Sequence, residues 1–156
     1  MSHPLARGLA AGAAGVTALN TVTYLDMALR GRAASSTPER TVDSLASAVG
    51  LRVPGVGETR RNRLTGLGAV LGTLAGTAVG VGYGALHALG WRPSPPVGAL
   101  AVTAAAMVAG SGPMTALGIT DPRGWSATDW LSDVLPHLAY GAVTAATYRA
   151  MEPAAE

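Results

Sequence analysis

The chain contains no cysteine, no lysine and no phenylalanine, and only 13% of its 156 residues are charged. Without cysteine there is no disulfide framework, no thiol nucleophile and no thiolate metal site. No nucleophile elbow, phosphate-binding loop or dinucleotide fingerprint is present either, so nothing points to a soluble-type active site, and no cofactor is expected. The sequence pI is about 9.5. No stacking aromatics or recognition fold accompany the basic residues, so no nucleic-acid partner is expected.

What the chain does have is long apolar runs, rich in Ala, Val, Leu and Gly. Mean hydropathy is only +0.32, diluted by glycine, alanine and one polar segment, so the distribution matters more than the mean. Four stretches stand out. Leu5–Leu29 carries Arg7 and Asp26 near its ends, and Gly66–Leu89 carries no Asp, Glu or Arg, with His87 near its end. Pro96–Ile119 is also uncharged, and Trp130–Tyr148 encloses Asp133 and His137. Each is near the roughly 20 residues that cross about 30 Å of hydrocarbon. The expectation is an all-α, polytopic membrane protein, a four-helix bundle forming one domain over 1–156 in a lipid bilayer. A soluble four-helix protein would need a polar stripe on every helix, and Gly66–Leu86 offers only Thr73, Thr77 and Tyr83. The first run is too long for a signal peptide, and Asn20 to Asp26 is unlike a cleavage region.

In GAVLGTLAGTAVGVGYG, residues 68–84, every fourth position is glycine: Gly68, Gly72, Gly76, Gly80 and Gly84. In water each interior glycine costs a helix roughly 0.5–1 kcal/mol relative to alanine. In hydrocarbon an unpaired amide costs more than that, so the helix is enforced. The row therefore reads as a glycine-zipper packing groove of the small-xxx-small type, with Gly8 and Gly12 as a shorter groove on the first span. Its partner is either another span of the same chain or a second subunit, as a homo-oligomer or within a membrane complex.

Seven of the eleven arginines, Arg30, Arg32, Arg40, Arg52, Arg60, Arg61 and Arg63, fall in segment 30–65. By the positive-inside rule that segment is cytoplasmic and both termini are extracytoplasmic. Trp91, Trp125 and Trp130 lie where an interfacial aromatic belt belongs, and His87 reads as interfacial too. Within the basic segment, Thr37 as N-cap, Pro38 and a terminal Gly50 predict a short amphipathic helix with Val42, Leu45, Ala46 and Val49 on one face. It lies on the membrane, caps the bundle or docks a soluble partner. The GETRRNRL cluster meets anionic headgroups.

Four-span parity puts Asn20, Tyr24 and Asp26 in the same leaflet as Asp133, His137 and Tyr140. The GSGP turn at 110–113, with Ser111, joins them there. Asp133 and His137 are four apart and share a helix face. Pro136 and Pro113 each remove a backbone donor, so a bend at the first and an unwound turn at the second are expected. Together these residues predict a polar pocket opening to the cytoplasmic side, with His137 suited to proton handling. Asp26 has an alternative partner in Arg30, Asp133 an alternative role at the helix start, and His137 an alternative as a neutral ring bonded to a neighbouring span. A metal site would need a third ligand such as Asp26, and no multi-ligand spacing is visible, so no metal is expected.

The stretch GITDPRGWSATDWLSDVLPHLAYGAVTAATYR resembles the final segment of the YagU-like family of uncharacterised bacterial inner-membrane proteins. Gly118, Ile119, Thr120, Pro122, Trp125, Asp133 and His137 carry the resemblance, with Asp133 where the family pattern has glutamate and Pro136 where it has a small residue. The resemblance covers about thirty residues. It implies an inner-membrane location and brings no established activity. Three readings follow: transport or permeation of protons or a small solute through the polar pocket, a non-catalytic scaffold or accessory subunit, and, third, a membrane enzyme.

Overall fold

The computed structural model describes residues 3–153, in which helices joined by short connectors are the only regular structure. Five helices run in order: α1 (Pro4–Arg30), α2 (Thr37–Ala48), α3 (Gly57–Ala88), α4 (Pro95–Ala116) and α5 (Ala127–Ala150), with a single 3-10 turn at Pro122–Gly124 before α5. Prolines at the first turns of α1, α2 and α4 supply the φ a helix start needs and have no N–H to leave unpaired. Glycines in the left-handed region, Gly31 (φ 61°) and Gly118 (φ 67°), follow α1 and α4 and turn the chain out of the helix.

The four long helices alternate in direction. α1 packs between α3 and α5, and α4 lies on the far side against α5, with lesser contact to α3. α2 lies against the first half of α3, where its Pro38 sits 3.0 Å from the position a Cβ would take on Gly68. The core is small and aromatic: Tyr83, Tyr140 and Tyr148 with Ala11, Val102, Ala106 and Ala145.

The glycines govern the α1–α3 spacing. A Cβ on Gly80 would come within 2.5 Å of both Gly12 Cα and Gly8 O, and one on Gly12 within 3.0 Å of Gly80 Cα. Gly84 abuts the Pro4 carbonyl, and Gly76 abuts the Val16 side chain. Gly72 meets nothing within 4 Å, so it has no part in this contact. Here the near partner of Gly76, Gly80 and Gly84 is the chain's own first helix.

One expectation is met in part and one changes. Among the described residues, two of the four expected spans, α3 and α4, are long and apolar enough by composition to cross a membrane. α1 and α5 have the length but fill it with Ala, Gly and Thr, and they carry Arg7, Asn20, Asp26, Asp133 and His137. The GSGP turn does not unwind: α4 runs unbroken through Pro113, and the Thr115 hydroxyl donates to the Ser111 carbonyl at 2.8 Å. Proline removes one helical donor but leaves the neighbouring bonds to hold the chain in register. The ends also differ: α3 starts at Gly57, so the GETRRNRL cluster is helical and continuous with the apolar run.

Candidate functional site

The α4–α5 connection is tightly fixed. The Asp121 carboxylate accepts from the Arg123 backbone N–H at 3.1 Å and from its guanidinium, and the Trp125 indole N–H donates to the Thr120 hydroxyl at 2.8 Å. Ser126 and Asp129 form a capping box at the start of α5, each side chain bonding the other's backbone N–H. These bonds hold both exposed carboxyls below the usual carboxylate range. For Asp129 the cause is the Ser126 hydroxyl and then its backbone N–H; for Asp121 it is the Arg123 side chain and then its backbone N–H.

So anchored, the connection closes one end of an open groove of about 490 Å³ between α4 and α5. Met107, Val108 and Ser111 line it from α4, Trp130 and Asp133 from α5, and Trp125 from the connection. The two indoles meet edge to face at 5.0 Å. Almost all of the lining is apolar, and Asp133 is its one ionisable member.

Asp133 and His137 are one turn apart. The His137 ring donates from Nδ1 to the Asp133 carbonyl at 2.7 Å, because a carbonyl can only accept. In the neutral ring this places the lone pair on Nε2, which faces α4 at Gly110, where an added Cβ would lie 3.7 Å away, and which has no hydrogen-bond partner among the described residues. Nδ1 also lies 3.6 Å from Asp133 Oδ1, close enough for charge attraction when the ring is protonated. The other carboxylate oxygen, Oδ2, is buried with no hydrogen-bond partner among the described residues. Leaving such an oxygen unsatisfied costs about 1–3 kcal/mol, more when it is charged.

The remaining candidates do not converge on one pocket. Ser111 shares the groove with Asp133. Tyr140 is fully buried, and its hydroxyl donates to the Gly76 carbonyl on α3 at 2.6 Å. Asp26 is held at 2.6 Å by both Arg30 and Arg32, and Arg30 reaches on to the Ser132 hydroxyl at 2.5 Å. It ties the end of α1 to α5, and its lone pairs are committed to guanidinium groups. Asn20 is half-buried and Tyr24 is 62% exposed, so neither belongs to the groove. No group of three or more His, Asp or Glu side chains able to hold a metal ion occurs among the described residues.

A second polar cluster, at the opposite end, escaped the sequence reading. His87, in the last turn of α3, is only 4% exposed, with its ring 4.4 Å from those of both Tyr83 and Tyr148. His87 Nδ1 donates to the Tyr83 carbonyl at 3.0 Å, and Arg92 bonds the His87 carbonyl. Arg7 stacks over Tyr148 at 5.5 Å. The i, i+4 spacing of Tyr83 and His87 was the available signal. This histidine is a satisfied core group braced by aromatic faces.

Comparison with known proteins returns no matching family model, no matching curated sequence and no matching solved structure.

Proposed function

We propose that the chain is a multi-pass inner-membrane protein whose four long helices cross the bilayer, with α2 and the α4–α5 connection on the cytoplasmic side. In this reading the Asp133–His137 pair binds or relays a proton, or holds a small polar solute, at the inner-leaflet end of the bundle. The bilayer part is supported by the two apolar helices, less than a quarter of whose most apolar stretch is buried inside the protein. Their outward faces carry Leu67, Val70 and Leu74 on α3 and Val97, Leu100 and Val108 on α4, all at least 46% exposed. A soluble core helix would hide such side chains. The similarity of Gly118, Ile119, Thr120, Pro122, Trp125, Asp133 and His137 to the YagU-like proteins fits the same location.

The observation that carries the functional reading is the buried Asp133 Oδ2, without a hydrogen-bond partner among the described residues, one turn from His137 and opening on a groove. An ionisable pair kept at membrane depth with one oxygen unsatisfied is suited to taking up a proton or cation that completes it. The purified protein in vesicles loaded with a pH-sensitive dye tests this. The wild type dissipates an imposed proton gradient, whereas His137→Ala and Asp133→Asn do not, with helicity and elution volume unchanged. Flux that survives both substitutions contradicts the reading.

The second reading is a scaffold or accessory subunit. Gly72 favours it, the one member of the glycine row left exposed with nothing near an added Cβ. There a second copy or another membrane helix can approach closely. Loss of assembly in Gly72→Leu, together with unchanged behaviour of His137→Ala, supports the scaffold over transport.

A further inference from the structure

The Asp133 groove is not the only one at this end of the bundle. A larger open groove, of about 600 Å³, lies between α2, the connector after it and the first turns of α3. Val42 and Ala46 supply its wall from α2, Leu51 and Val53 from the connector, and Leu67 from α3, so the floor is apolar. Its two charged members are Arg52 and Arg63, both exposed.

These two arginines differ from their neighbour Arg60, which pairs with Asp43 at 2.5 Å. Arg63 gives one N–H to the Pro54 carbonyl at 2.9 Å and has no other acceptor among the described residues. Gly55, at φ 97°, lets this arm lie flat along the connector: a Cβ there would sit 3.2 Å from Arg63 Nη1. Arg52 makes no hydrogen bond or ion pair among the described residues. The groove thus presents an apolar floor under two cations with unsatisfied donors.

Its position completes the argument. Leu67 belongs both to the groove and to the exposed row Leu67, Val70, Leu74 that runs along α3. An apolar chain lying in the groove continues onto the outward face of α3 without crossing a polar surface. α3 is 32 residues, or roughly 48 Å, long, against about 30 Å of hydrocarbon. Its first turns, with Arg60, Arg61 and Arg63, therefore stand at headgroup level when its apolar part spans the bilayer. We infer that this groove is a discrete binding site for one anionic phospholipid of the cytoplasmic leaflet, with its phosphate on Arg52 and Arg63 and an acyl chain over Val42, Leu51 and Leu67. Basic pockets of this kind beside spanning helices suit anionic headgroups, whose phosphate meets the arginines while an acyl chain covers the apolar floor. The inference rests on the membrane reading and not on the Asp133–His137 proposal.

The test uses the full-length protein in mixed vesicles of phosphatidylglycerol and phosphatidylcholine. Flotation first shows whether the protein resides in the vesicles, and mass spectrometry of the protein released intact then counts retained lipid. The expected result is one phosphatidylglycerol retained in preference to phosphatidylcholine. That preference falls about fivefold for each of Arg52→Gln and Arg63→Gln. Arg61→Gln, which leaves the groove intact, changes it little, and inorganic phosphate does not displace the lipid. Equal loss with Arg61→Gln overturns the site in favour of diffuse surface charge, and displacement by phosphate overturns it in favour of a free-anion site. Equal retention of both lipids overturns the role of the arginines. A protein that fails to float overturns the membrane reading and the inference together, whereas one that floats without preference overturns the inference alone.

Discussion

The Tyr140 hydroxyl on α5 donates to the Gly76 carbonyl on α3 at 2.6 Å, joining two helices across the interior of the bundle. Tyr140 is fully buried, so this bond has no water to replace it. Tyr140→Phe keeps the ring and removes the donor, and it is expected to destabilise the protein by about 1 kcal/mol. Reversible unfolding in detergent, followed by circular dichroism, measures this.

Gly80 and Gly72 belong to the same four-residue row but make opposite predictions. A Cβ on Gly80 meets backbone atoms of Gly8 and Gly12, which cannot rotate out of the way. Gly80→Leu therefore forces α1 and α3 apart and costs at least about 2 kcal/mol. Gly72→Ala meets open space and leaves stability unchanged or raises it by up to about 1 kcal/mol. Thermal unfolding of both variants beside the wild type separates the two environments.

The capping box gives a pH dependence of definite sign. Asp129 titrates lower when folded, chiefly through the Ser126 hydroxyl, than its unfolded value near 3.9. Its contribution is fully present above that unfolded value and is lost as pH falls through the lower folded one. The start of α5 should therefore loosen below about pH 4. Because Trp125 and Trp130 meet edge to face there, their fluorescence reports it, and Asp129→Asn flattens that acid transition.

Much of the fold is legible in the residues, and the failures have physical causes. Pro4, Pro38 and Pro95 at helix starts, and Gly31, Gly50, Gly90 and Gly118 at positive φ after helices, mark most element ends. The partner of the glycine row is not legible, because a bare backbone surface lacks side chains that distinguish α1 from a second copy. The Asp26–Arg30 pair follows from i, i+4 spacing. Arg32 lies past the Gly31 turn, and its return onto the same carboxylate is seen only in the structure. The single polar pocket expected from parity breaks up because depth alone does not say which way a helix face points: Asp133 and Ser111 line one groove, Tyr140 turns inward, and Tyr24 turns out. The burial of His87 was not legible for the same reason, since its position near a helix end does not show that Tyr148 packs against it.

Passage of all four long helices through the bilayer is the claim on which the site assignments depend, and single-cysteine labelling tests it most directly. The chain has no cysteine of its own. A thiol placed at exposed Ser47, Ser94, Thr128 or Pro153 is therefore the only one present. In intact spheroplasts a membrane-impermeant maleimide is predicted to label Ser94→Cys and Pro153→Cys at once, and Ser47→Cys and Thr128→Cys only after the membrane is opened. Equal labelling of all four from outside, or of Thr128→Cys together with Pro153→Cys, would contradict it, because α5 would then not cross.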